Sequence, residues 1–122
     1  MALINEYETG QSDTRPWGKW SVLATGDGFG LKRIDVAPGQ LLSLQKHAHR
    51  DEHWVIVEGI ADVTIGEQTK QLRAGDSVFI PRETVHRISN PGASPLVFIE
   101  VQLGQELRET DIERLEDQYG RH

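Results

Sequence analysis

GQLLSLQKHAHRDEHWVIVEG, residues 39–59, is the stretch from which the rest of the chain is read. Between its flanking glycines, Gln45 and His47 stand two positions apart and Glu52 follows after four intervening residues. Side chains two apart on a β-strand share a face, so this spacing turns an amide oxygen and an imidazole to the same side. A second glycine-led stretch, GDSVFIPRETVHRISN at residues 75–90, adds His86, with Pro81 before it and Asn90 behind it. One carboxylate, two neutral imidazoles and an amide oxygen form a donor set that suits a divalent cation. A lone histidine on a strand is ordinarily surface, the reading given to His53 and His122. Four ligand-type residues inside two glycine-framed stretches are a different matter.

Working outward, short β-type runs alternate with turn chemistry from Trp17 to Val101. They are WSVLAT, LKRIDV, LLSLQKHAH, WVIVEG, ADVTI, TKQLR, SVFI, VHRISN and LVFIEVQL, broken by GDGFG, APG, GEQ, AGD, PRET and PGASP. Eight or nine such strands with Gly, Pro, Asn and Asp at the breaks predict an all-β barrel or two-sheet sandwich. The polar start predicts a loose N-terminal arm over residues 1–13, leaving 14–122 as one domain. Near the C-terminus the period changes. Thr110 and Glu113 have capping-box spacing, and Leu107, Ile112, Leu115 and Tyr119 recur at roughly helical intervals, so one short α-helix stopped by Gly120 is expected. Arg108, Glu113, Arg114, Glu116 and Asp117 then read as its solvated face.

The chain has 122 residues, 37% of them hydrophobic, enough for a single core. It has no cysteine, which removes disulfides and thiolate metal sites and favours a reducing cytoplasm. MALINEYETG lacks the basic and apolar regions of an export signal, and no stretch has the roughly 20 apolar residues that cross a bilayer. The net charge of −6 argues against a nucleic-acid partner. Anionic small molecules remain open, because a bound cation and a few arginines can reverse the local potential.

The two glycine-framed stretches resemble the paired motifs of the cupin superfamily, small jelly-roll barrels that hold a metal ion on His-x-His, a later Glu, and a His from the second motif. Position by position, the resemblance places Gln45, His47, Glu52 and His86 on the metal. The sequence departs from the cupin pattern at Gln45, where a His is usual, and at Glu83, where a Gly is usual; the latter is tolerable in a turn whose φ is negative. The phrases RPWG, PGQLLSLQKHAHRDEHWVIVEGIADV, IPRETVHRISNPG, IEVQLG and DIERLEDQYGR are similar to the isomerase half of bifunctional mannose-1-phosphate guanylyltransferase/mannose-6-phosphate isomerases, over residues 14 to 121. That resemblance implies a stand-alone type II phosphomannose isomerase domain. It further implies Zn²⁺ on a Gln, two His and a Glu, with other divalent ions open, a hexose phosphate substrate, nucleotide-sugar precursor and polysaccharide supply, and a homodimer.

Interconverting mannose 6-phosphate and fructose 6-phosphate moves a proton between C1 and C2 through a cis-enediol. It needs an electrophile at the sugar oxygens, a base, and a phosphate anchor. By strand parity His49 shares the face of Gln45 and His47, as a proton-shuttling or supporting group. Glu100, which shares a face with Gln102, is the first choice of base. Arg50, and either Lys32 or Arg33, are the expected phosphate and hydroxyl contacts; parity lets only one of the latter pair face inward. Trp54 reads as a core wall, Trp17 and Trp20 as core or lid packing, and Arg121 has no supporting signal. Two alternatives stay open: a non-catalytic sugar-phosphate-binding or regulatory cupin, and another metal-dependent cupin enzyme, such as an oxygenase or epimerase.

Overall fold

Alternation of buried and exposed side chains sets the architecture. In the computed structural model, which describes residues 2–119, the strand Asp51–Glu58 buries Glu52, Trp54 and Ile56 and turns His53, Val55 and Val57 outward. This is the period of two that a strand with one wet face requires. In chain order the strands are β1 (Ile4–Asn5), β2 (Ser12–Arg15), β3 (Gly18–Gly26), β4 (Phe29–Val36), β5 (Leu44–Lys46), β6 (Asp51–Glu58) and β7 (Ile60–Ile65). They continue with β8 (Gln68–Arg73), β9 (Ser77–Ile80), β10 (His86–Ser89), β11 (Leu96–Leu103), β12 (Glu106–Leu107) and β13 (Glu113–Glu116). Each of the nine expected runs contains a strand, LLSLQKHAH only over Leu44–Lys46.

One sheet runs β2-β3-β4-β11-β6-β9 and a second runs β13-β5-β10-β7-β8; β1 and β12 form a small parallel pair. The chain passes from the first sheet to the second through the single residue Gly59, whose φ is +88°. A Cβ there would lie 2.5 Å from the Pro95 carbonyl oxygen, so both the conformation and the space demand glycine. Trp20, Val22, Ile34, Trp54, Ile56 and Phe98 from the first sheet pack with Ala61, Val63, Leu72 and Ile88 from the second. No helix of the described residues is long and apolar enough to cross a membrane.

One expectation is corrected. The C-terminal helix is absent among the described residues: Glu113–Glu116 is a strand paired antiparallel with β5, Arg114 facing Gln45 in the register. An isolated helix of three turns is marginal, whereas β5 offers unpaired backbone groups that a neighbouring strand satisfies. Leu115, expected on the helix's apolar stripe, is 49% exposed, and Gly120 and Arg121 lie outside the described residues. The segment expected as an arm makes contacts of its own. Ile4 and Asn5 pair with β12, Ser12 to Arg15 pair with β3, and Tyr7 is in the core. A single buried aromatic supplies the apolar area that a polar-looking segment otherwise lacks.

Candidate metal centre and active-site cleft

The metal-type residues come together at one place inside the barrel. Ligand atoms of His47, Glu52 and His86 all lie within 4.8 Å of one another, and the three residues are buried. Glu52 comes from β6, His86 opens β10, and His47 lies just past the end of β5. His47 Nε2 is 3.1 Å from Glu52 Oε2, and His86 Nε2 is 4.0 Å from Glu52 Oε1. Each imidazole is oriented by a main-chain carbonyl: His47 Nδ1 contacts Asp111 O at 2.7 Å and His86 Nδ1 contacts Thr84 O at 2.9 Å. With Nδ1–H donating outward, each Nε2 turns a lone pair to the centre, the arrangement that metal-bound histidines use. Burial lowers the pKa of His86 and so favours its neutral form. Burial opposes ionisation of Glu52, but the Arg50 guanidinium beside it outweighs that and holds the carboxyl well below its usual range. Arg50 Nε donates to Glu52 Oε2 at 2.8 Å.

Gln45 sits directly opposite His86 across the β5–β10 ladder. Its amide nitrogen donates to Ser43 O at 3.4 Å and Ser43 Oγ at 3.2 Å, which leaves Oε1 as the atom it can offer an ion. It lines the same cavity of about 270 Å³ as His47, Glu52, Trp54 and His86. A carboxylate, two imidazoles and an amide oxygen in a buried pocket fit a divalent cation in donor type.

The expected catalytic residues fall into two groups. Glu100 lines both this cavity and an adjoining cleft of about 510 Å³, as do Arg50 and Gln45. The register of β4, β11 and β6 explains the row: Glu100 faces Lys32 on one side and Trp54 on the other, while Gln102 faces Glu52. Trp54 Nε1 donates to Glu52 Oε1 at 3.0 Å and Glu100 Oε1 at 3.2 Å, and Gln102 Nε2 donates to Glu100 Oε2 at 2.9 Å. Burial, then the neighbouring Glu52 charge, raise the Glu100 carboxyl well above its ordinary range. Lys32 is the inward member of its pair, and Arg33 lies outside with Asp35. Its partners are Glu109 and Tyr7.

His49 does not join the site. It is exposed and lies 3.5 Å from Glu106. Parity fails because β5 stops at Lys46 and residues 47–50 form a loop that turns His49 to solvent while returning Arg50 inward. That loop is clamped: Asp111 Oδ1 accepts from Ala48 N and Oδ2 from His49 N, both at 2.9 Å, and Arg108 O accepts from Arg50 Nη1 at 3.1 Å. Gly104 packs against it so closely that a Cβ would lie 2.3 Å from His49 O. A further departure concerns Glu83, whose φ is +65° rather than negative. The turn keeps the left-handed backbone suited to glycine, and Glu83 N still donates to His47 O at 2.7 Å.

Several cleft residues escaped the sequence reading. Arg15, Trp17, Trp20, Glu109 and Arg114 line the larger cleft with Lys32 and Arg50. Arg114, read as part of a solvated helix face, lines this cleft from β13. Arg15 in RPWG was the one visible signal, a basic residue beside an aromatic at the entry to the first long strand. Glu109 and Asp111 carried none, because a helical reading spaces them differently.

Comparison with known proteins bears on this arrangement. Residues 4–117 match the family described as Mannose-6-phosphate isomerase C-terminal. The chain belongs to that family. It is 52% identical over 107 residues to the alginate biosynthesis protein AlgA of Pseudomonas aeruginosa, covering 88% of this chain and 22% of AlgA. It is 46% identical over 116 residues to the mannose-1-phosphate guanylyltransferase RfbM of Salmonella typhimurium, covering 95% of this chain and 24% of RfbM. The chain thus spans about a quarter of the length of these relatives. The cupin domain of Schizosaccharomyces pombe Cnp3 superposes with a TM-score of 0.68 at 17% identity, over 70% of this chain and 64% of that one. The fold of this member of the Mannose-6-phosphate isomerase C-terminal family is therefore a cupin barrel.

Proposed function

We propose that this domain interconverts mannose 6-phosphate and fructose 6-phosphate by moving a proton between C1 and C2 through a cis-enediol. The observation that carries the reading is the single wall, Gln45, Arg50 and Glu100, shared by the metal-type cavity and the cationic cleft. A hexose phosphate laid across that wall has its carbonyl end at the donor cluster and its phosphate toward Arg15, Lys32 and Arg114. Gln45, His47, Glu52 and His86 would hold the divalent ion, taken as Zn²⁺, which supplies electrophilic polarisation of the sugar oxygens.

Glu100 is the acid–base group. A carboxyl raised by burial lies nearer the working pH, where one group takes a proton from one carbon and returns it to the next most effectively. Trp54 and Gln102 each donate to one of its oxygens and hold its plane. Arg50 keeps Glu52 ionised and presents its guanidinium to the cleft. Family membership and relatives named for alginate biosynthesis and guanylyltransfer support a place in nucleotide-sugar and polysaccharide precursor supply. The cysteine-free composition supports a cytoplasmic setting. Val55 and Val57 on β6 and Phe79, which faces His53 across the β6–β9 ladder, are exposed on the outer sheet face and support a homodimer. Light scattering that returns the mass of a single chain removes the dimer.

The test is a coupled assay of mannose 6-phosphate conversion with Zn²⁺ restored after chelation. Glu100→Gln is expected to lower kcat by about 10²- to 10⁴-fold with the metal retained, and His86→Ala to lose both metal and turnover. Circular dichroism on each variant separates these losses from unfolding. Sugar-phosphate binding without turnover by fully metallated wild-type protein overturns the reading in favour of a non-catalytic module.

A further inference from the structure

The cationic end of the cleft holds an anion supplied by the chain itself. Glu109 Oε2 accepts from Lys32 Nζ at 2.9 Å and takes a short hydrogen bond from the Tyr7 hydroxyl. Its Oε1 lies 3.8 Å from Nη2 of Arg15, which also pairs with Asp13. Lys32 Nζ reaches Tyr7 Oη at 3.2 Å and stands 4.3 Å above the Trp20 ring. Lys32 is only 4% exposed, and a buried ammonium requires a counter-anion. Glu109 provides it. Burial opposes the Glu109 charge, but Lys32 and the Tyr7 hydroxyl outweigh it and push the carboxyl down to about 2.

Two features mark the cradle as built for more than this carboxylate. Trp20 lines the cleft, is 4% exposed, and its Nε1–H is a buried donor with no hydrogen-bond partner. Such orphaned donors are uncommon, and a ligand oxygen is a natural partner. The Glu109 side chain is also 40% exposed, so solvent reaches the occupant although Lys32 beneath it is closed off. A rotation about the Glu109 side-chain bonds frees the cradle without moving its backbone, which Arg108 O and Asp111 tether to the 47–50 loop.

We propose that Arg15, Lys32, Tyr7 and Trp20 form an oxyanion subsite for a phosphate monoester, and that Glu109 is its exchangeable resident, displaced when phosphate enters. A phosphate dianion carries more charge to the two cations than a carboxylate, and its three terminal oxygens suffice for the phenol and the indole as well. Competition from the resident keeps affinity for weaker, singly charged anions low, which makes Glu109 a specificity-determining residue. The proposal rests on reading the cleft as a hexose-phosphate site.

The experiment is calorimetric titration of inorganic phosphate into Zn²⁺-loaded protein, which requires no turnover. Glu109→Gln is expected to bind phosphate at least about fivefold more tightly than wild type, the scale of one removed like charge at a partly exposed position. In a Lys32→Gln background the same substitution is expected to give no gain, which ties the effect to the cradle. If Glu109→Gln fails to fold, Glu109→Asp, whose shorter arm withdraws from Lys32 and Tyr7, is expected to show a smaller gain. Equal or weaker phosphate binding by the folded variant overturns the proposal, as does a gain that persists without Lys32. Wild-type protein that shows no isomerase activity, together with the expected phosphate gain in Glu109→Gln, counts against the isomerase reading alone.

Discussion

Glu83 shows how one backbone angle carries a cost beside the donor cluster. Its φ of +65° belongs to the region where a side chain's Cβ crowds the following carbonyl. The cupin resemblance placed glycine at this turn, and the structure retains glycine's geometry with glutamate in its place. The conformation persists because Glu83 N is bound to His47 O beside the donor cluster. Glu83→Gly is therefore expected to raise unfolding stability by about 0.5–1 kcal/mol in urea denaturation, the strain relieved less the entropy glycine gains when unfolded. An unchanged or lower midpoint would mean the turn is not strained. The failure of the parity argument at His49 is also a residue-scale event. Counting by two holds only while the strand continues, and nothing in QKHAHR announces that the ladder stops at Lys46.

At the scale of the element, the segment after β11 has the larger consequence. Read as a helix, residues 107–119 present an apolar stripe and a charged face; folded as an extended strap ending in β13, they bring Glu109, Asp111 and Arg114 to the cleft or its loop. Local spacing could not separate these outcomes, because the deciding term is the unpaired edge of β5, supplied by residues more than sixty positions away. Asp111 is the strap's main tether to the site. Its carboxylate binds two amides of the 47–50 loop and its carbonyl orients His47. Asp111→Ala frees the loop, and Zn²⁺ affinity, measured by competition with a chromophoric chelator, is expected to fall about 10- to 100-fold. Affinity equal to wild type would show that β5 alone places His47.

For the molecule as a whole, the burial of ionised groups makes stability depend on pH. Glu109 has a folded pKa of about 2 against an ordinary 4.5, so between these values the unfolded chain binds more protons than the folded one. Its contribution is complete above about 4.5 and is lost as the pH falls toward 2. Glu109→Gln removes that contribution, so the gap in thermal midpoint between wild type and variant is expected to be widest at neutral pH and to narrow as the buffer is taken from pH 6 to pH 3. A gap independent of pH would show that the Glu109 charge is not what Lys32 depends on.

What the sequence by itself determined is the set of features written in short periods. Nine strands follow from alternation and turn residues, because hydrogen-bonded pleats impose the same period of two wherever they form, and the metal-type quartet stands out by residue type and spacing inside two glycine frames, although His47 itself lies past the end of β5. Only the tertiary structure decided which donors surround the cleft. Lys32 over Arg33, Tyr7 from a polar-looking arm, and Glu109 from a strap read as helix were settled by which distant edge or cavity each segment could satisfy. Those terms belong to pairs of residues far apart in the chain, and a local pattern contains only one member of each pair.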